Sequence, residues 1–227
     1  MENDEVFYID LSSPSNATLS GGVSTLSGAI TIVNDDTSAP VDPNAGVIQT
    51  LSSSGSLTGT SLNDTLTGSS GADTINGSLG NDIITGKAGS DQLSGGGGVN
   101  RFVYSTFSDS TVSAFDYITD LAPAQGDRIA INNLPSKLWY AGSISGNTLQ
   151  DALTSVYADV DRVSSTDAIR PLGSGDAVIF KYGTGFGIKT YLSVDDPNSS
   201  QDLLIRIAGV SLSSLGQLDP SQYFATI

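Results

Sequence analysis

The chain of 227 residues is long enough for one mid-sized domain or for two to three small modules, each with its own core. It sets 24 acids against 9 bases for a formal net charge of −15, and it contains no His and no Cys. This excludes Ser-His-Asp and Cys-His catalysis, the ordinary zinc, haem and iron–sulfur sites, and the basic face that a nucleic-acid partner needs. Of the acids, 22 are Asp and only Glu2 and Glu5 are Glu, a composition suited to a hard cation that prefers oxygen. No segment approaches the roughly 20 apolar residues of a spanning helix. The acidic start, Met1 to Glu5, lacks the basic-then-apolar run of a secretory leader. Taken alone, that start points to the cytoplasm, while the absence of Cys leaves the compartment open.

Residues 1–54 hold seven acids and no base, with two strand-like runs, one from Val6 to Leu11 and one from Ala29 to Val33. An acidic hairpin and a disordered arm are both compatible with this stretch. Thr37 to Gly46 is rich in Pro and small polar residues and reads as a linker, so 38–54 is expected to connect two modules.

The next zone, 55–103, holds 12 of the 26 glycines and repeats with a period of nine: GTSLNDTLT, GSSGADTIN, GSLGNDIIT, GKAGSDQLS, GGGGVNRFV. Position one is Gly59, Gly68, Gly77, Gly86 and Gly95. Position six is Asp64, Asp73, Asp82, Asp91 and then Asn100, and position eight is always Leu, Ile or Phe. A flexible Gly/Ser linker would share the composition but has no reason to place an apolar residue two positions after each acid. The pattern resembles the calcium-binding nonapeptide of RTX (hemolysin-type) proteins, whose repeats wind into a parallel β-roll.

In such a roll one nonapeptide is a turn plus a short strand, and two close a coil. Position-eight side chains then stack inward, and Asp64 lies over Asp82 and Asp73 over Asp91, about 4.8 Å apart. Two bare carboxylates at ~5 Å repel by roughly 3 kcal/mol at an effective dielectric near 20, so without a cation the stack opposes its own fold. Two interior Ca2+ positions are expected, with a weaker third between Asp82 and Asn100. The glycines Gly68, Gly77, Gly86 and Gly95 are expected to let backbone carbonyls crowd the ion.

Residues 102–227 hold 14 of the 16 aromatics, including Trp139, and so the conventional core. Asn147 to Arg162 carries Leu149, Ala152, Leu153, Val156, Tyr157 and Val160 at helical spacing, with Thr148 and Asp151 as a capping box. Strands are expected over Arg101–Ser105, Asp127–Ile131, Ala177–Tyr182, Thr190–Val194 and Leu203–Ile207. Gly183 to Gly187 reads as a hairpin turn, because no helix or closing Lys-Ser/Thr follows to make a phosphate loop.

Two further resemblances cover the flanks. Phe102 to Ser110, Asp116 to Leu121 and Gly126 to Ile129 resemble the segment that follows the repeats in serralysin-type proteases, where it begins a cap on the roll. The resemblance implies a calcium role for Asp109 and Asp116 at the end of the roll. Lys189 to Asp196, Asp202 to Gly209 and the helix are similar to the "bluetail" C-terminal module of bacterial surface proteins, which implies export by a type I secretion system. Residues 2–36 resemble the end of a Calx-β domain, with Asp35 and Asp36 as the acidic pair after its last strand.

The expected fold is therefore mainly β: a partial Calx-β segment (1–37), the linker, a short parallel β-roll (55–103), and a C-terminal β-rich cap with one amphipathic helix (104–227). The expected function is that of a non-catalytic, secreted or surface protein whose roll folds on binding Ca2+ outside the cell. A C-terminal export signal would replace the cytoplasmic inference. Its expected partners are calcium ions and the secretion machinery, with cell-surface components as further candidates. The alternatives are a calcium-dependent adhesion module, or the tail of a longer exported enzyme. No zinc-protease motif is present in a chain without His, and most Asp residues are accounted for by turns or metal.

Overall fold

In the computed structural model the described residues are 5–12, 25–32, 46–159, 171–183, 188–195, 202–212 and 216–227. The chain divides into two units, Met1–Asn44 and Ala45–Ile227. In the first, β1 (Glu5–Ser12) pairs antiparallel with β2 (Thr25–Ile32), from Glu5 opposite Ile32 to Ser12 opposite Thr25. Asp35 and Asp36 lie outside the described residues.

The second unit begins with three-residue strands joined by tight turns: β3 (Ile48–Thr50), β4 (Ser56–Thr58), β5 (Thr65–Thr67), β6 (Thr74–Asn76), β7 (Ile83–Thr85) and β8 (Gln92–Ser94), then β9 (Arg101–Tyr104). Odd-numbered strands fall in one sheet and even-numbered strands in the other, all parallel, with Thr65 opposite Ile83 and Thr74 opposite Gln92. Two nonapeptides thus make one coil, as the period implies. Strands as short as β4 to β9 survive because each buries an apolar residue: Leu57, Leu66, Ile75, Ile84, Leu93 and Phe102 form a single apolar column between the sheets. Each such burial is worth about 1.5–3 kcal/mol.

The roll also starts earlier than its glycines indicate. Ile48–Thr50, within the stretch read as a linker, is a strand paired with β5, and its middle residue is Gln49 rather than an aliphatic.

Beyond the repeats the same two sheets continue. The strands β10 (Asp116–Ile118) and β11 (Arg128–Ile131) add to β8 and β9 and place Ile118 and Ile129 in the column. From β10 the sheet runs on through β15 (Leu203–Ile207), β14 (Lys189–Val194), β13 (Ala177–Tyr182), β12 (Leu138–Ile144) and β16 (Gly216–Leu218), while β17 (Phe224–Thr226) closes the other sheet beside β11. Both sheets therefore pass through the boundary expected at 103/104.

The helix α1 (Leu149–Ala158) is shorter than its apolar stripe, and Val160 lies outside the described residues. Thr148 Oγ1 accepts the Asp151 N–H at 3.1 Å and Asp151 Oδ2 accepts the Thr148 N–H at 3.0 Å, which is the expected capping box. Ala152, Leu153 and Val156 pack on Trp139, Val178, Phe180, Tyr191 and Leu204, a second core on the opposite face of the sheet. Sequence periodicity missed β12 because it serves both cores: Leu138 and Tyr140 face the first, Trp139 and Ala141 the second, so polar and apolar residues do not alternate.

Replacing Ile84 by Ala should cost about 2–5 kcal/mol, because the column is one side chain thick and cannot collapse around the gap. Denaturant unfolding with calcium present checks this.

Candidate metal centre

The position-six residues occupy the last turn residue before each strand, so the parallel register stacks them in two files. In one, Asp64 Oδ1 accepts the Val47 N–H at 2.6 Å and Asp82 Oδ1 accepts the Asp64 N–H at 2.8 Å. Below these, Asn100 Oδ1 accepts the Asp82 N–H at 3.0 Å and Asp127 Oδ1 the Asn100 N–H at 2.8 Å. In the other file, Asp73 accepts from Gly55 at 2.7 Å, Asp91 from Asp73 at 2.8 Å and Asp116 from Asp91 at 2.9 Å. Each carboxylate thus spends one oxygen on the backbone of the preceding coil and keeps Oδ2.

Where those second oxygens point decides the chemistry. At the first coil they are satisfied locally: Asp64 Oδ2 by Thr60, and Asp73 Oδ2 by the Ser69 N–H at 2.6 Å and hydroxyl at 3.0 Å. Further along, Asp82 Oδ2, Asp91 Oδ2 and Asp116 Oδ2 are buried with no hydrogen-bond partner. Orphaned buried carboxylate oxygens are costly and call for a counter-charge.

The position-one glycines face the same space. A Cβ built on Gly68 would stand 2.7 Å from Asp73 Oδ2 and 2.5 Å from the Gly86 carbonyl oxygen. On Gly77 it would meet Asp82 Oδ2 and, at 2.7 Å, the Gly95 carbonyl oxygen. Carboxylate and carbonyl oxygens therefore converge where a side chain has no room, which is an all-oxygen donor set suited to Ca2+. Among the described residues no three acidic side chains converge; at Gly68 and Gly77 the oxygens that meet come from one carboxylate and one backbone carbonyl.

The electrostatics follow from this stacking. Burial, partly offset by the Asp73 N–H, and the like charge of Asp73 push the Asp91 carboxyl up to about 7. Asp116 rises to about 8 through burial, offset in part by the Asp91 N–H, and through repulsion from Asp91. Asp82 is raised as well, mainly by burial.

Two expected site residues behave differently. Asn100 stacks in its file, but with Oδ1 committed to the Asp82 N–H its amide nitrogen faces the space that Oδ2 faces elsewhere, 2.5 Å from a Cβ built on Gly95. An N–H donor repels a cation, so Asn100 does not present the side-chain oxygen expected of it. Asp109 lies beside the end of the roll, where its carboxylate accepts the Thr106 N–H at 3.0 Å and hydroxyl at 2.7 Å, capping a turn. Asp116 continues the stack directly.

Sequence reasoning missed Asp127, the fourth member of the first file, and Asp120, which accepts the Gly95 and Gly96 N–H groups at 2.9 Å and pins the cap to the last repeat. The signal was present. Asp116 and Asp127 are each followed two residues on by a buried Ile, the same acid-x-aliphatic unit, but at steps of 25 and 27 residues instead of 18.

Residues 58–93 and 78–110 match the RTX calcium-binding nonapeptide repeat family. The chain therefore carries a calcium-binding β-roll of this type, and Ca2+ is its ion. No curated protein matches the sequence. Among solved structures, it is similar to the solution structure of the AlgE6R3 subunit from the Azotobacter vinelandii mannuronan C5-epimerase. The identity is 22% over 79% of this chain and 90% of that chain, with a TM-score of 0.40.

Two outcomes follow from the geometry. The folded, metal-free roll keeps protons on Asp91 and Asp116 that the unfolded chain releases above about pH 4. Its stability in chelator should therefore be fully present below about pH 4 and be lost as pH rises through about 7 to 8. Calcium displaces those protons, so its affinity should climb over the same interval, as thermal unfolding with and without chelator at stepped pH would read. Replacing Asn100 by Asp should add calcium-binding capacity while lowering the melting temperature in chelator, measurable by calcium stoichiometry and calorimetry.

Proposed function

We propose that this is a non-catalytic, secreted or surface calcium-binding protein whose β-roll folds after export through a type I secretion system. The observation that carries the reading is the row of buried Asp82, Asp91 and Asp116 oxygens left without partners inside a stack of like charges. The proposed ligands are the carboxylates of Asp64, Asp73, Asp82, Asp91 and Asp116 with the backbone oxygens of Gly68, Gly77, Gly86 and Gly95.

At cytosolic calcium the stacked carboxylates would oppose coil closure, keeping the repeats open for passage through a narrow channel. Extracellular calcium modules bind at about 10⁻⁴–10⁻³ M, so the switch would fall at the cell boundary. Bound calcium supplies the positive charge that turns repulsion between coils into cross-linking, and its binding free energy becomes folding free energy. The cap extends both sheets from the last coil, so a folded cap offers β8 and β9 a ready edge on which the roll can close. For Glu5–Ser12 and Thr25–Ile32 we propose the closing hairpin of a Calx-β sandwich, in line with their sequence resemblance.

The test is a titration of the purified chain from chelator to millimolar calcium, following far-UV circular dichroism and Trp139 fluorescence together. A cooperative gain of β signal, reversed by chelator and not matched by magnesium, is expected. A flat response in both signals would overturn the folding switch.

A further inference from the structure

The position-one column runs Gly59, Gly68, Gly77, Gly86, Gly95, and nine residues after Gly95 the same position is Tyr104. In the interior, a Cβ on Gly59, Gly68 or Gly77 would meet the position-six Oδ2 of its own turn and the glycine carbonyl oxygen one coil on. At Gly86 the pattern changes. Its three nearest atoms include Asp91 Oδ2 and, at 3.3 Å, Asp116 Oδ2, and no carbonyl oxygen is among them. The residue one coil on from Gly86 is Tyr104, at the end of β9.

Tyr104 is 1% exposed, and its hydroxyl lies beside the Asp116 carboxylate without forming a well-aligned hydrogen bond. Of the five buried side-chain polar atoms without a partner among the described residues, three are Tyr104 Oη, Asp91 Oδ2 and Asp116 Oδ2. Burial first, then the charge of Asp116 and a hydrogen-bonding interaction with its carboxylate, and then Asp91 and Asp109, hold the phenol well above its ordinary pKa, so it stays a neutral hydroxyl among acids. Asp109 is already committed to Thr106, which leaves Asp91 and Asp116 as the open carboxylates beside it. The phenol has a single proton to share and Asp116 is the carboxylate that feels it, so at least one carboxylate oxygen stays unmet, whereas a hard cation would accept all three oxygens.

We propose that Tyr104 supplies the third side-chain oxygen of a cation position whose other side-chain oxygens are Asp91 Oδ2 and Asp116 Oδ2, at the junction of roll and cap. The inference rests on the calcium-binding reading above. A side-chain hydroxyl would then complete the last position. Because Asp116 opens β10 and its N–H is held by Ser110, which in turn donates to the Leu204 carbonyl of β15, an ion here ties the repeats to the cap.

The test compares the full chain with Tyr104→Phe and Asp116→Asn by calcium titration against a competing chelator and by thermal unfolding with and without calcium. Tyr104→Phe should weaken one site by about 10–100-fold and leave the others as in the parent. Its melting temperature should be unchanged or higher in chelator, where an orphaned hydroxyl has been removed, and lower than the parent's in calcium. Asp116→Asn should weaken the same site. Unchanged affinities in Tyr104→Phe, with Asp116→Asn weakened, would overturn the role of Tyr104 and leave the ion to the carboxylates. An equal loss of stability with and without calcium would reduce Tyr104 to packing. Failure of the parent chain to bind calcium would instead remove the reading on which this inference rests.

Discussion

The structure depends on one constraint: identical carboxylates recur at the same place in successive coils, one strand spacing apart. The parallel register leaves no freedom to stagger them, because moving a strand by one residue would turn its buried aliphatic outward. The coil can relieve the repulsion only by protonation, by hydrogen bonds or by a cation. It uses hydrogen bonds for one oxygen of every carboxylate, through the N–H of the preceding coil. That leaves the second oxygen of Asp82, Asp91 and Asp116 as the atoms whose needs the fold itself does not meet. The thin apolar column makes this decisive. With one inward side chain per strand, hydrophobic burial has little reserve against a row of unmet charges.

The cap is the structural answer to the end of such a roll. A parallel stack has two open edges, and an unfinished edge is an invitation to pair with another chain. Here the C-terminal edge is taken up by β10 and β11, which copy the acid-x-aliphatic unit of the repeats while leading into a sheet with two full cores. Asp120 adds a direct tie by receiving the N–H groups of Gly95 and Gly96. The helix then covers the far face of that sheet, so the cap has a hydrophobic core of its own beside the one it shares with the roll.

What could be seen in the sequence follows from which constraints act locally. The nine-residue period fixes turn and strand together, so the 18-residue register and the inward column were visible from Leu66, Ile75, Ile84 and Leu93 alone. The amphipathic stripe and the Thr148–Asp151 box likewise act within a few residues and mark the helix start. What stayed hidden depends on contacts distant in sequence. Ile48–Thr50 carries no acid-x-aliphatic unit and becomes a strand only because β5 pairs with it. Asp116 and Asp127 keep the unit but lose the period, since turns inserted between β9 and β11 lengthen the coil. Asn100 shows the reverse: it keeps the period, but the hydrogen bond from Asp82 turns its oxygen away from the ion space.

The two files therefore resolve the same electrostatic problem in different ways along their length. In the first, Asn100 interposes a neutral amide between Asp82 and Asp127, so the repulsive series is broken by sequence. Asp127 is still raised by burial, but the N–H groups of Asn100 and Ala122 offset part of that cost. In the second file nothing neutral intervenes. Asp73, Asp91 and Asp116 follow one another directly, and the carboxyl pushed up to about 8 is the one nearest the cap. Two unpartnered carboxylate oxygens, on Asp91 and Asp116, therefore come together where the repeats meet the cap. An ion drawn to that junction would order the last coil against the cap's edge, and the remaining coils could then add to a strand pair already in register.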